Sequence, residues 1–261
     1  MFSIALIGAD GAGKTTIGRR LENDLPIPVK YVYMGVNLDA SNHMLPTTRL
    51  IRAIKHARGD KPDAGPPDIS RAEPRPTNAS KQILSDFKSG LRLVNRLSEE
   101  WFRQAITWYY KKQGNIVVFD RHFFHDYYAH DVASSSTDQI WSKRIHGFML
   151  QHLYPKPDLV ICLDAPADIL YARKPEGTLQ ALERRRQEYL QIQHAVEHFS
   201  IVDVSQQVDV VFEEVKALIW HYYEANTARA NDHVQARTHI PEPNGQSHTI
   251  NGRSEQVRIE D

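Results

Sequence analysis

Ile4-Ala5-Leu6-Ile7, followed at once by Gly8-Ala9-Asp10-Gly11-Ala12-Gly13-Lys14-Thr15-Thr16, sets the reading of everything downstream. The apolar run reads as a buried strand. The segment after it satisfies G-x-x-x-x-G-K-[ST] at every fixed position. Its glycines let the backbone curl tightly, so that N–H groups from Gly8 through Asp10, Gly11, Ala12 and Gly13 point inward at phosphate oxygens. A helix beginning near Lys14 and running through Thr15 and Thr16 adds the positive end of its dipole. Lys14 is placed to reach the β- and γ-phosphates of a nucleotide, and the Thr15 hydroxyl to ligate Mg²⁺. A chance glycine-rich turn is the alternative. It is opposed by the strand before and by the amphipathic helix after, with Ile17, Leu21 and Leu25 on one face.

At 261 residues the chain has room for one α/β domain with insertions. The 32 basic and 32 acidic side chains cancel, so no bulk field draws the protein to nucleic acid or to an anionic membrane. The one cysteine, Cys162, has no intramolecular partner and sits in Leu159-Val160-Ile161-Cys162-Leu163, where a buried packing thiol is expected. No stretch approaches the roughly 18 apolar residues of a spanning helix. The N-terminal run leads into the phosphate loop and lacks a basic segment before it, so a soluble cytoplasmic protein is expected.

Read in order, helices and strands alternate. The first helix closes at Pro26 and Pro28, and Val29 to Met34 is the second strand. Thr47 to Arg58 reads as helix. A proline-rich insertion over 57–79 contains Pro62, Pro66, Pro67, Pro74 and Pro76. Ser80 to Gln113 is a long helix, with apolar residues from Ile83 to Trp108 recurring at three- and four-residue steps. Ile116 to Phe119 is a strand, Gln139 to Leu153 a helix and Leu159 to Leu163 a strand. Ala167 to Arg173 is a short helix and Thr178 to Phe199 a charged one. Ser200 to Val204 is the last strand and Val208 to Tyr223 the last helix. From Glu224 to Asp261 the chain is polar and apolar-poor, which predicts a disordered tail after a domain of residues 1–223. Such alternation implies a parallel sheet covered on both faces, with ligands bound outside the carboxyl ends of its strands. The phosphate loop, Asp120-Arg121 and Asp164 all follow strands and are expected to converge there.

Asp120 ends an apolar strand, where a carboxylate can reach Mg²⁺ directly or through water. Arg121 adds a planar donor fork suited to phosphate. A structural Asp–Arg pair is the plain alternative, but downstream of a phosphate loop the functional reading prevails. Taken together, these stretches resemble the thymidylate kinases within the nucleoside monophosphate kinases. Gly8 to Thr16 is similar to their phosphate loop, including Asp10. Val118-Phe119-Asp120-Arg121-His122 is similar to their Asp-Arg-Tyr or Asp-Arg-His motif, and Pro157 to Asp164 with Arg173 to their fourth strand and lid entry. Val202-Asp203-Val204-Ser205-Gln206 resembles the loop that packs near adenine. The likeness runs in the right order from Phe2 to Tyr223.

The resemblance implies a P-loop NTPase fold: three α/β/α layers, a five-stranded parallel sheet and a mobile lid over 173–186. It implies ATP and Mg²⁺ as cofactors. It places Asp10, Lys14, Asp120, Arg121 and Arg173 in the catalytic set, Thr15 and Asp120 on the metal, and Ser205 near the nucleotide. The phosphate loop has no arginine, and relatives of that kind draw the cation from the lid; Lys174, Arg184, Arg185 and Arg186 are the candidates. Two departures touch the acceptor side. Met34-Gly35-Val36-Asn37 stands where these kinases carry Arg-Glu-Pro-Gly-Gly, and Glu99 falls where an arginine is expected. The acceptor therefore stays open between a nucleoside monophosphate and a hydroxyl of a nucleoside or sugar. A nucleotide-dependent switch with slow hydrolysis is the other class. The expected partners are a small-molecule phosphate acceptor and a second copy in a possible homodimer, with no nucleic acid and no membrane.

Overall fold

Five short runs of β-branched and apolar residues pair as an all-parallel sheet: β1 (Ser3–Ile7), β2 (Val29–Tyr33), β3 (Ile116–Asp120), β4 (Leu159–Asp164) and β5 (Phe199–Asp203). The strand order is β2-β3-β1-β4-β5. This is an α/β fold consistent with a P-loop NTPase. It is seen in a computed structural model that describes residues 1–35, 41, 43–57, 79–128 and 141–238. The central strands β1 and β3 are buried along their whole length, which explains why they read as unbroken apolar runs rather than alternating ones. Edge strand β5 is only half-buried.

Parallel neighbours need crossover connections, and helices supply them. Those between strands are α1 (Lys14–Asp24), α2 (Pro46–Ala57), α3 (Ala79–Lys112), α4 (Phe123–Tyr127), α5 (Trp141–His152), α6 (Ala167–Arg173) and α7 (Leu179–Gln191), and α8 (Val208–Thr238) follows the last strand. One face of the sheet presents Ala5, Ile7, Val32, Met34, Val117, Phe119, Val160 and Cys162 to a core shared with Phe123, Phe124, Tyr127, Leu150, Tyr154 and Tyr189. On the other face α1 lies against Leu6 and Tyr31. Arg20 of α1 stacks on Phe212 of α8 at 4.1 Å. Cys162 is buried in the core, and burial pushes its thiol up to about 12, as expected of a packing residue.

Three features differ from the sequence reading. The charged helix stops at Gln191, turns once as 3-10 helix over Ile192–Ala195, and hands Phe199 to β5. Val196 and Phe199 pack on the core, and that packing overrides local helix propensity. The short helix α4 lies where no element was expected. Finally α8 continues to Thr238, so Glu224 to Thr238 is helical rather than irregular. No proline or glycine interrupts that stretch before Pro241, and Trp220 Nε1 donates to Glu224 Oε1 one turn on at 2.7 Å. By contacts the chain divides into Met1–Ile219, which holds the sheet, and Trp220–Asp261. The insertion expected at 57–79, apart from its first and last residues, and the tail beyond Thr238 lie outside the described residues.

Helix α3 keeps its expected period but not the expected burial. Phe87, Leu91, Val94 and Trp108 are exposed, while Glu99, Glu100, Arg103, Gln104 and Thr107 are buried. No helix among the described residues is long and apolar enough to cross a membrane.

Candidate functional site

At the carboxyl end of β1 the chain enters the phosphate loop through three glycines with positive φ: Gly8 (140°), Gly11 (87°) and Gly13 (82°). A Cβ at Gly8 would strike the carbonyl oxygen of Leu163, and one at Gly11 that of Leu170. Gly13 has open space around it and is required for its left-handed backbone, which opens α1. Lys14 lies buried beneath this loop, its ammonium donating to the carbonyls of Gly8 and Ala9 at 2.8 Å each. Burial and the nearby Arg121 charge lower the Lys14 pKa to about 8, against the opposing pull of Asp10, Asp120 and Asp126. Thr15 is half-buried, and Thr16 and Gly13 are exposed.

β3 runs beside β1, with Leu6 in register with Asp120, which brings the second motif to the loop. The Thr15 hydroxyl donates to Asp120 Oδ2. The Tyr31 hydroxyl of β2 donates to the same oxygen at 2.7 Å. Asp120 is buried, and its Oδ1 has no hydrogen-bond partner. Arg121 follows in the left-handed region at φ 67°, where a side chain costs about 1–3 kcal/mol, and its N–H donates to Leu6 O at 3.1 Å. Its guanidinium pairs with Asp10 Oδ1 in the phosphate loop. Burial works to raise the Asp10 carboxyl, but the charges of Arg121, Lys14 and Lys174 carry it down to about 2.

Helix α7 resolves the run of three arginines by helical phase. Arg184 is half exposed and pairs with Glu188 at 3.7 Å. Arg186 makes a two-point pair with Asp164 at the end of β4, at 2.7 and 2.9 Å, and also meets Glu183. Arg185 turns inward over the Tyr189 ring at 5.6 Å, with a buried Nη2 that has no hydrogen-bond partner. Arg121, Asp126 and Tyr189 lie close enough to shift its titration. Tyr189 donates to Asp126 Oδ1 at 2.7 Å, tying α7 to α4. Arg173 is exposed at the end of α6, near enough to Asp203 to help lower that carboxyl after the stronger effect of Ser205. Ser205 itself is exposed beyond β5, its N–H donating to Asp203 Oδ1 at 2.8 Å. It belongs to the edge of the sheet, two strands from the phosphate loop.

Two further groups were not assigned from sequence. Arg103 of α3 is 2% exposed and donates to the carbonyls of Tyr33, Gly35 and His43 and to Glu99. Glu99 also accepts from Leu45 N–H and from the Thr48 hydroxyl. This pair fastens the exit of β2 and the start of α2 to α3, so Glu99 does not stand as a bare carboxylate toward an acceptor. Behind Arg121, His122 and His125 are buried 5.3 Å apart, and none of their ring nitrogens has a hydrogen-bond partner. Burial pushes His122 down to about 3 and His125 well below its ordinary range.

The residues present fit Mg²⁺. Thr15 and Asp120 offer hard oxygen donors, and the unpartnered buried Oδ1 of Asp120 is an acceptor for the ion or its water. A cation that keeps several waters and takes its other ligands from phosphates needs no more protein ligands than these. Among the described residues no cluster of three or more His, Cys, Asp or Glu forms a separate metal site.

Comparison with known proteins gives one distant likeness. Over 121 residues the chain is 27% identical to a probable thymidylate kinase 1 of Saccharolobus solfataricus, covering 44% of this chain and 60% of that protein. The chain thus spans somewhat under two thirds of that relative's length. No family model matches the sequence. The relationship is thymidylate-kinase-like at this coarse level.

Proposed function

We propose that the chain is an ATP-dependent phosphotransferase, thymidylate-kinase-like, that moves the γ-phosphoryl group of Mg-ATP to a small acceptor. The observation that carries this reading is the meeting of buried Lys14, the Thr15–Asp120 pair and the Arg121–Asp10 pair at the carboxyl ends of two adjacent strands. The distant likeness to a probable thymidylate kinase supports it. Phosphoryl transfer asks little covalent chemistry of a protein; it asks for positioning and fixed positive charge. The loop N–H groups would cradle the phosphates, and Lys14 would exchange its two loop carbonyls for their oxygens. Thr15 and Asp120 would hold Mg²⁺, which when bound neutralises charge between the β- and γ-phosphates. Arg121 and Arg185 supply guanidinium charge on the far side, and Lys174 lies close enough to act on Asp10.

Between the two acceptor classes, Asp10 favours one. A hydroxyl acceptor profits from a general base whose pKa lies near the working pH. Asp10, held down to about 2 by the surrounding cations, is a poor base. A nucleoside monophosphate is already a nucleophile and gains from cations instead. We therefore place a nucleoside monophosphate ahead of a sugar or nucleoside hydroxyl. The test is a panel of nucleoside monophosphates, nucleosides and sugars incubated with ATP and Mg²⁺, with ADP and phosphorylated acceptor both measured by mass. Acceptor-dependent ADP matched by acceptor phosphate is expected. ADP matched only by inorganic phosphate would replace this reading with that of a slow nucleotide switch.

A further inference from the structure

We infer that Tyr31 is a positioning residue for the metal-binding pair: its hydroxyl fixes the rotation of the Asp120 carboxylate, so that Oδ1 is presented to a hydrated divalent cation on the donor phosphates. The inference rests on the proposed function only in taking Thr15 and Asp120 as the residues that hold Mg²⁺. Two donors, the hydroxyls of Tyr31 and Thr15, converge on Asp120 Oδ2, while Oδ1 is buried with no partner. A carboxylate with both donors on one oxygen has one rotation available, and the other oxygen is left for a ligand. A Thr15 hydroxyl giving a lone pair to the cation would keep its one proton for Oδ2, and the Tyr31 hydroxyl is the second donor that fixes the carboxylate.

Helix α1 shows that the ring's seat is specific. Gly18 sits in its interior, where glycine costs about 1 kcal/mol relative to alanine. A Cβ there would lie 2.8 Å from Cε2 of Tyr31, so the glycine is what lets the ring pack against the helix and reach Asp120. The Arg19 guanidinium lies over the same ring at 6.0 Å. A phenylalanine would fill the same space, so only the hydroxyl answers to the carboxylate. Hydrogen-bond partners one step behind a metal ligand typically change metal affinity about 10- to 100-fold when removed.

The experiment is a calorimetric titration of ADP into the full chain, once with Mg²⁺ and once with a chelator. The wild type is expected to bind ADP more tightly with Mg²⁺. Tyr31→Phe should lose about tenfold or more of that Mg²⁺-linked gain, with chelator-arm affinity unchanged within about twofold. A Mg²⁺-linked gain equal to that of the wild type overturns the inference. So does an equal loss in both arms, because that is what a merely structural tyrosine would give. In an Asp120→Asn background the Tyr31→Phe change should add nothing, and additive losses contradict the coupling. Gly18→Ala, which keeps the hydroxyl but displaces the ring, is a second route to the same selective loss; an intact gain there also counts against it. A wild type with ADP affinity but no Mg²⁺-linked gain would sink the proposed metal site and this inference together, whereas a wild-type gain that survives Tyr31→Phe sinks the inference alone.

Discussion

Arg185 and its two neighbours show how much depends on the phase of one helix. Sequence presents Arg184, Arg185 and Arg186 as equals, but successive residues of an α-helix point about 100° apart, so a contiguous run faces three directions. Arg185 turns toward Arg121 and Asp126 and meets Glu188 at 3.6 Å, while Arg186 is held by Asp164 and Arg184 is half exposed beside Glu188. Arg185→Ala is expected to lower kcat by about 10² or more, the lower end of what a preorganised charge contributes. Arg184→Ala should leave kcat within about twofold, since exposed pairs contribute little. Steady-state kinetics of the two variants decide this, and equal effects would show that the assignment by helical phase is wrong. Arg121 carries a second residue-scale signal. Its positive φ is a cost that no sequence rule anticipates, and it is offset by the Leu6 carbonyl and by Asp10.

At the scale of elements, the crossover helix α3 is where the sequence was least legible. Its period was right, but the side expected to be buried carries Phe87, Leu91 and Val94 outward, and its middle buries charges instead. Periodicity reports that a helix is amphipathic; it does not report which face a chain will cover. The buried charges are tolerable because Glu99 and Arg103 pair at 3.1 Å and complete each other's hydrogen bonds through backbone groups. Removing one partner strands the other, so Arg103→Met should cost about 3–5 kcal/mol of stability in denaturant unfolding; a loss under about 1 kcal/mol would mean the pair is not a fastening. The same pair bears on the acceptor. Arg103 is fully engaged by three carbonyls and Glu99, and Met34-Gly35 stands at the exit of β2. Thymidine monophosphate should therefore be a poor acceptor, with kcat/KM below about 10⁴ M⁻¹s⁻¹, an ordinary enzyme value. A coupled assay at or above that value would restore the plain thymidylate kinase reading.

At the scale of the molecule, the sheet, its parallel sense and the place of the phosphate loop were legible because buried central strands read as continuous apolar runs. The boundary between α7 and β5 was not, since no glycine or proline marks it and core packing of Val196 and Phe199 sets it. The helical extension to Thr238 is not legible from composition, because its polar residues resemble a disordered tail although no helix breaker interrupts them. The strand pattern shows Tyr31 only as a β residue, though a glycine inside α1 is a signal of close approach that points to its ring. The buried histidines give the whole fold a pH dependence. His122 and His125 are neutral in the folded state, with His122 held at about 3 against an unfolded value near 6.5. Their folded values are depressed, so the stability they permit is complete above pH 6.5 and is lost as pH falls from 6.5 toward 3. Lys14, lowered to about 8, adds no slope in that window because it is charged in both states there. Urea unfolding at pH 7.5 and pH 5, the first above and the second below the histidine's ordinary value of 6.5, should show a clear loss for the wild type. The loss should be smaller in His122→Phe, and parallel losses would contradict the account.

We propose that the loop from Gly8 to Thr15 is the centre of phosphoryl transfer, which replacement of its buried ammonium would test. The measurement is the rate of ADP formation from ATP and Mg²⁺ by Lys14→Ala and by the wild type, with the best acceptor of the panel and with melting temperatures compared. A fall of about 10²–10³ or more with the fold intact is the predicted result, the size expected when a preorganised charge on the transferring group is removed. A folded Lys14→Ala protein that turns over within about tenfold of the wild type would contradict it, because an effect below about 1.4 kcal/mol is too small for a group acting on that transition state.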